Sequence, residues 1–250
     1  QGAFKTLQVN EVKFPWCIPN VNPYNNSFII RILDEGQTAK ITIPEGFYTG
    51  ATLATAVQSA LNTAFPGGDY EVTYNSLGKY NIFSPNAIYA FQLFNTNVLE
   101  PPSIYQSLLS VMGFTYVTNP NMASSVQASK TGGIAPLIYT NYVDVVSSVL
   151  TQYQDVADSS TSVVSPRHII CRLYISDNTS TAVTDASGNP IYPGMIPFVI
   201  QRQFTNSKVI QWNGMNSIDR IDIKLYDDMG NLLYTPSGMP DFQITMRATE

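Results

Sequence analysis

A chain of 250 residues with a net charge of −5 carries charge on only 12% of its residues, against roughly 25% in an average soluble domain. That acidic balance, with Lys and Arg scattered singly, excludes a surface built to grip nucleic acid. The only cysteines, Cys17 and Cys171, exclude a disulfide scaffold and Cys-x-x-Cys metal knuckles, and read as buried thiols in a reducing compartment.

Short runs of period two, punctuated by proline and glycine, follow one another along the chain. "SFIIRIL", "AKITIP", "YEVTY", "KYNIFS" and "YAFQLF" predict strands in the first half. Between the second and third lies "TGATLATAVQSALNTAF", where Leu53, Val57 and Leu61 recur every four residues and Thr49 can cap the N-terminus. This helix stops before Pro66-Gly67-Gly68. "YEVTYNSLGKYNIFS" is a hairpin closed by Asn75-Ser76-Leu77-Gly78. A second, shorter helix is predicted over 103–113, and the Gly- and Ser-rich stretch 119–133 reads as a mobile surface loop.

In "LIYTNYVDVVSS" the alternation sets Ile138, Thr140, Tyr142 and Asp144 on the more polar face, opposite Leu137, Tyr139, Asn141, Val143 and Val145. Asp155 and Asp158 follow in a turn composition. "RHIICRLYIS" places Ile169, Cys171, Leu173 and Ile175 on one face, with His168, Arg172 and Tyr174 on the other. "PFVIQRQF" is another strand. "IDRIDIKLYDDMGNLLY" predicts a hairpin with Ile221, Ile223 and Leu225 inward, and "DFQITMRATE" closes the chain with Phe242, Ile244, Met246 and Ala248 on one face. More than ten short strands, two helices and no βαβ rhythm predict an all-β, antiparallel single jelly-roll sandwich with one or two short helices in the connections. One domain over 1–250 is expected. No apolar run approaches the 18 or so residues of a membrane span, and no signal-peptide pattern is visible.

Chemistry is sparse. The single histidine, His168, has no patterned partner for a nucleophilic or zinc site and is expected at a surface or strand edge. Ser76-Leu77-Gly78-Lys79, Lys130-Thr131-Gly132 and Ser176-Asp177-Asn178 mimic the S-x-x-K, K-T-G and S-D-N of penicillin-recognising enzymes. The context opposes them: Ser76 falls in a hairpin turn, Lys130 falls in the surface loop, and S-D-N follows K-T-G along the chain. The pairs Asp227-Asp228 and Asp219/Asp222 have no setting special to a glycosidase, and "DASGNP" and "DDMGN" lack calcium-loop spacing. The sequons Asn25-Asn26-Ser27 and Asn178-Thr179-Ser180 carry little weight in an Asn-rich chain. No catalytic, cofactor-binding or metal residue is assigned, and no enzyme activity or cofactor is expected. Trp16 and Trp212, bulky beside turn residues, are expected to anchor the core or a subunit contact.

Several phrases, in order, carry a resemblance: "TLQVNEVKFPWCIPNVNPYNNSFIIRI", "IPEGFYTGATLATAVQSALN", "YTNYVDVVSSVLTQYQDVADSST", "FVIQRQFTNSKVIQWNGMNSIDRIDIKLYDDMGNLLY" and "DFQITMRATE". Together they resemble the penton, or minor capsid, proteins of virophages, Polinton-like elements and nucleocytoplasmic large DNA viruses. The resemblance implies a single jelly roll that forms homopentamers at the fivefold vertices of an icosahedral shell. Its partners would be copies of itself and neighbouring major capsid protein capsomers, and its location the virion, assembled in an infected host cell. The reading that competes from another class is a receptor- or glycan-binding β-sandwich module.

Overall fold

The computed structural model describes residues 5–33, 36–94, 107–114, 128–151, 168–175, 183–184, 190–191, 195–205, 207–212, 220–238 and 241–249. Its strands begin with β1 (Thr6–Trp16), β2 (Ser27–Ile32), β3 (Thr38–Thr42), β4 (Glu71–Tyr74), β5 (Lys79–Ser84) and β6 (Phe91–Phe94). They continue with β7 (Ala128–Ile134), β8 (Tyr142–Val146), β9 (Ile169–Tyr174), β10 (Val183–Thr184) and β11 (Pro190–Ile191). The last four are β12 (Phe198–Gln203), β13 (Val209–Gln211), β14 (Lys224–Tyr226) and β15 (Gln243–Thr249). Two helices, α1 (Gly50–Ala64) and α2 (Leu108–Val111), lie in the connections. Every strand pairing among the described residues is antiparallel. The fold class is therefore all-β and antiparallel with two short helices, as a jelly-roll reading requires.

The chain groups into two compact units. The first comprises Gln1–Cys17, Thr140–Ser180 and Pro197–Glu250; the second comprises Ile18–Tyr139 and Thr181–Ile196.

The first unit is built on β1, which pairs with β15 along one edge and with β12 and β13 along the other. Leu7, Val9, Val12, Phe14 and Trp16 are buried on one face of β1. That set steps by two, then three, then two. The extra residue is Asn10, where the pairing with β15 shifts register between Val9 and Glu11. A bulge of this kind inserts one residue and restores the same face to the core. Opposite these side chains stand Ile200 and Phe198 of β12, Ile210 of β13, and Met246 and Ile244 of β15. On β15 the expected alternation holds, but Phe242, Ile244 and Met246 are half-buried and Ala248 is exposed.

The unit's second sheet has the order β14-β8-β9. Val143, Val145, Leu173 and Leu225 are buried on one of its faces. A register shift between Val145 and Val146 puts Ile170 in the core and leaves Ile169 and Cys171 half-buried. This corrects the expected inward set of β9. Ile221 is likewise exposed rather than inward, because regular pairing on that segment starts only at Lys224. Past the turn, the return strand contributes a bridge between Tyr226 and Leu232 and a bond from Leu233 N to Leu225 O.

In the second unit, sheets β3-β2-β6 and β4-β5-β7 and the pair β10-β11 accompany α1. Thr49 caps α1 by accepting from Thr52 N, and the Thr52 side chain accepts from Thr49 N, a reciprocal capping box. The helix buries Leu53, Ala54, Val57 and Leu61 in a core with Phe28, Ile30, Ile32, Tyr80 and Phe91. Among the described residues no helix is long and apolar enough to cross a membrane.

Two expectations change here. Of the shorter predicted helix, the described part is the single turn Leu108–Val111; residues 101–106 lie outside the described residues. Of the stretch 119–133 read as a surface loop, 128–133 belong to β7, and 119–127 lie outside the described residues. Strand β7 forms because β5 offers it an edge, with Asn81 opposite Thr131 and a hydroxyl bond from Thr131 Oγ1 to Asn81 Oδ1 at 2.9 Å. Its two glycines let the backbone cross that of Gly113, whose O accepts from Gly133 N at 2.7 Å.

Candidate functional site

The densest polar chemistry in the first unit lies on one face of β14-β8-β9. The register sets Tyr142 opposite Tyr174, and Asp144 between Arg172 and Tyr226. Arg172 Nε donates to Asp144 Oδ1 at 2.7 Å and Nη2 donates to Oδ2 at 2.9 Å. The guanidinium carbon lies 3.9 Å from the centroid of the Tyr142 ring, a stacked cation–π contact. Tyr174 meets Tyr142 edge-on, with centroids 5.9 Å apart. Asp144 is on the polar face of its strand, as read from the alternation, yet only 4% exposed because Arg172 covers it. Its hydrogen bonds hold the guanidinium charged well above its ordinary range, against the opposing effect of burial. Both carboxylate oxygens are occupied, so this pair orients and neutralises.

A second carboxylate closes a turn. Asp222 Oδ1 accepts from Ser147 Oγ at 2.9 Å and Val149 N at 2.9 Å, and Oδ2 accepts from Ser148 Oγ at 2.6 Å and Ser148 N at 3.2 Å. Partial burial pushes this carboxyl up, but the bonds from Ser148, Val149 and Ser147 outweigh it and hold it well below the usual carboxylate range. A depressed carboxylate contributes stability above its unfolded pKa of about 3.9 and loses it as pH falls toward the folded value. Asp222→Asn should therefore cost about 1–2 kcal/mol near neutrality, with the gap from the parent chain closing as pH drops below about 4. Urea unfolding at pH 7 and pH 3 checks it; a gap that does not change with pH overturns it.

His168 is half-buried at the start of β9. Thr151 Oγ1 donates to Ser147 O at 2.6 Å and lies 2.8 Å from His168 Nδ1. The threonine proton is thus committed, and Nδ1–H is the donor to Oγ1. The imidazole staples a turn. Among the described residues no group of three His, Cys, Asp or Glu could hold a metal. Burial raises the Cys17 thiol, and burial with the charge of Asp144 pushes Cys171 up to about 12; both are free and neither is an activated nucleophile. Ser76 sits in the β4–β5 turn, where Gly78 N bonds Asn75 O and Asn75 Oδ1 accepts from Leu77 N. Lys130 is on strand β7, so that objection to the penicillin-enzyme pattern falls while the turn position of Ser76 keeps it from being a helix-borne nucleophile. Asp155, Asp158, Asp177, Asn178, Asp219 and residues 185–189 lie outside the described residues.

The second unit holds a buried amide network in "IPNVNPYNN". Asn20 Nδ2 donates to Tyr48 O at 2.8 Å and Leu137 O at 3.0 Å, and its Oδ1 accepts from Tyr48 N at 2.9 Å. Asn25 Nδ2 donates to Asn20 O, and its Oδ1 accepts from Asn22 N. Asn25 is 1% exposed, so the first sequon is sealed in the folded chain. Asn20→Ala strands three backbone partners and should cost about 2–3 kcal/mol, against less than about 1 kcal/mol for Asn86→Ala, whose side-chain bonds with Gly67 O and Ile88 N are solvent-exposed. Equal losses in urea unfolding would refute this ordering.

Of the two tryptophans, Trp16 is 1% exposed and packs between Phe14 and Phe198, each with ring centroids 6.1 Å away. Its Nε1 has no hydrogen-bond partner among the described residues. Trp212 is buried, with its backbone N on Lys5 O at 2.8 Å. The Asp144–Arg172 pair and the Asp222 clamp went unread in the sequence. The faint signal for the former was Y-x-D in one strand and R-x-Y in another, which meet only once the register is known.

Structural comparison aligns the chain with the mavirus penton protein at 13% identity and a TM-score of 0.47, covering 99% of this chain and 86% of that one. A chain of the Sputnik virophage structure aligns at 15% identity and a TM-score of 0.37, covering 98% and 87%. One neighbour is a penton protein; the other comes from a virophage. No family model and no curated protein matches.

Proposed function

We propose that this chain is a structural capsid protein and not an enzyme: a penton capsomer of an icosahedral double-stranded DNA virus or virophage. In this reading residues 1–250 act as one single-jelly-roll capsomer that forms homopentamers at the fivefold vertices, beside major capsid protein capsomers. It resides in the virion after assembly in the infected host cell. The observation that carries the reading is the ordered series of capsid-like phrases, the described parts of which fold as discrete antiparallel elements. "IPEGFYTG" makes the turn in which Tyr48 Oη donates to Pro44 O and Thr49 caps α1, "YVDVV" is β8, and "QITMRAT" is β15.

Exposed aliphatics add support. Leu77 and Ile134 are 69% and 73% exposed on adjoining positions, since Ile134 pairs with Lys79. A low-charge surface with such side chains loses little on desolvation at a subunit contact. A heterologous contact repeated around a fivefold axis closes a ring.

The test is absolute mass by light scattering, followed by images of any oligomer. A ring of about five times 27.6 kDa is expected, and a stable dimer or trimer overturns it. Trp16 and Trp212 are proposed as core or contact anchors. Trp212→Ala with unchanged folding and unchanged ring formation would remove Trp212 from both roles.

A further inference from the structure

The outer face of β14-β8-β9 carries an aromatic plate that the fold holds in place. Tyr174 is 45% exposed, yet its ring edge-packs on Tyr142 at 5.9 Å between centroids. Its orientation is therefore set before any partner arrives, and little entropy remains to be lost on binding. Arg172 is fixed in turn by two bonds to Asp144 and by the ring of Tyr142. Tyr226 stands half-buried beside Asp144 on the next strand.

Three properties narrow the occupant. The guanidinium charge is cancelled by Asp144 at contact distance, so an anion gains nothing that the carboxylate does not already supply. The remaining guanidinium N–H groups and tyrosine hydroxyls still offer hydrogen bonds around an apolar ring face. The patch is small: three strands at about 4.8 Å spacing by two residues at about 3.3 Å rise give roughly 10 by 7 Å. That is far below the approximately 800 Å² per partner of a stable protein interface, and it matches one or two sugar rings. A saccharide presents a C–H face to stack on an aromatic plate and hydroxyls to meet the donors at its rim.

We propose that Tyr174, with Arg172 and Tyr142 behind it, forms a shallow site for an uncharged saccharide. The site stands independently of the capsid reading.

The test is saturation-transfer NMR of the purified full chain with a panel of neutral mono- and disaccharides and their sialylated counterparts, followed by titration. Saturable millimolar binding of a neutral sugar is expected, no tighter for the sialylated form. Tyr174→Ala should weaken it at least tenfold, and Tyr174→Trp should retain it. Tyr174 is exposed, so both variants should keep the parent far-ultraviolet circular dichroism and urea midpoint. Absence of saturable transfer to the parent chain overturns the proposal without reference to any variant. So does binding unchanged in Tyr174→Ala. If no sugar binds but Tyr174→Ala alters the oligomer mass, the plate is a protein contact and the proposal is wrong.

Discussion

Trp16→Ala should lower the unfolding free energy by about 3–5 kcal/mol. Trp16 is the largest of the side chains under 2% exposed, and it sits on the strand that every other member of its sheet pairs with. Removing it leaves a void between Phe14 and Phe198, whose rings lie about it at 6.1 Å. Those rings are held by strand pairing at Trp16↔Phe198 and Phe14↔Ile200, so the site collapses poorly and the cavity cost is retained. Trp16→Phe is the informative companion. It gives up volume, but it also deletes the Nε1–H that finds no partner among the described residues, and an unsatisfied buried donor costs about 1–3 kcal/mol. The two effects oppose, so Trp16→Phe should cost about 1 kcal/mol or less. Chemical denaturation of both variants checks the pair; a Phe variant as unstable as the Ala variant would overturn this balance.

Gly113→Ala should cost about 3 kcal/mol or more, although it adds a single methyl group. Gly113 has φ +77°, in the left-handed region that favours glycine. A non-glycine residue there costs about 1–3 kcal/mol by conformation. A Cβ would also meet Ile134 O at 2.7 Å and Gly133 O at 2.8 Å, and backbone atoms cannot swing aside as a side-chain tip can. Relief requires β7 to move off the bond between Gly133 N and Gly113 O. Gly36→Ala is the control, because φ is +65° there but a Cβ meets nothing within 4 Å. It should cost about 1–2 kcal/mol from conformation alone. Urea unfolding of both variants separates strain from collision; equal losses would mean that the crossing at Gly113 yields.

Features carried by a few neighbouring residues were legible from the chain. The helix over Gly50–Ala64 announces itself by Leu53, Val57 and Leu61 at helical spacing, by the Thr49 cap and by the proline that follows. The β4–β5 hairpin is written in Asn75 and Gly78, whose turn bonds are local. Alternation located β2, β8, β9 and β12, because period two needs no knowledge of the partner strand.

Where a residue's fate depends on a partner far along the chain, local pattern was silent or misled. Strand β7 looks like a loop because Gly132 and Gly133 weaken any strand signal, and their purpose is visible only at the crossing with Gly113. Ile170 takes the core place expected for Ile169 because of a one-residue shift against β8, and such a shift reverses which face a side chain takes. The Asp144–Arg172 pair joins residues 28 apart and the Asp222 clamp spans about 75, distances at which sequence spacing carries no geometric information. Periodicity and turn chemistry are properties of a short segment's own backbone. Register, backbone crossings and the charge placed beside Tyr174 exist only after two distant segments pair, and those pairings form the candidate sugar site.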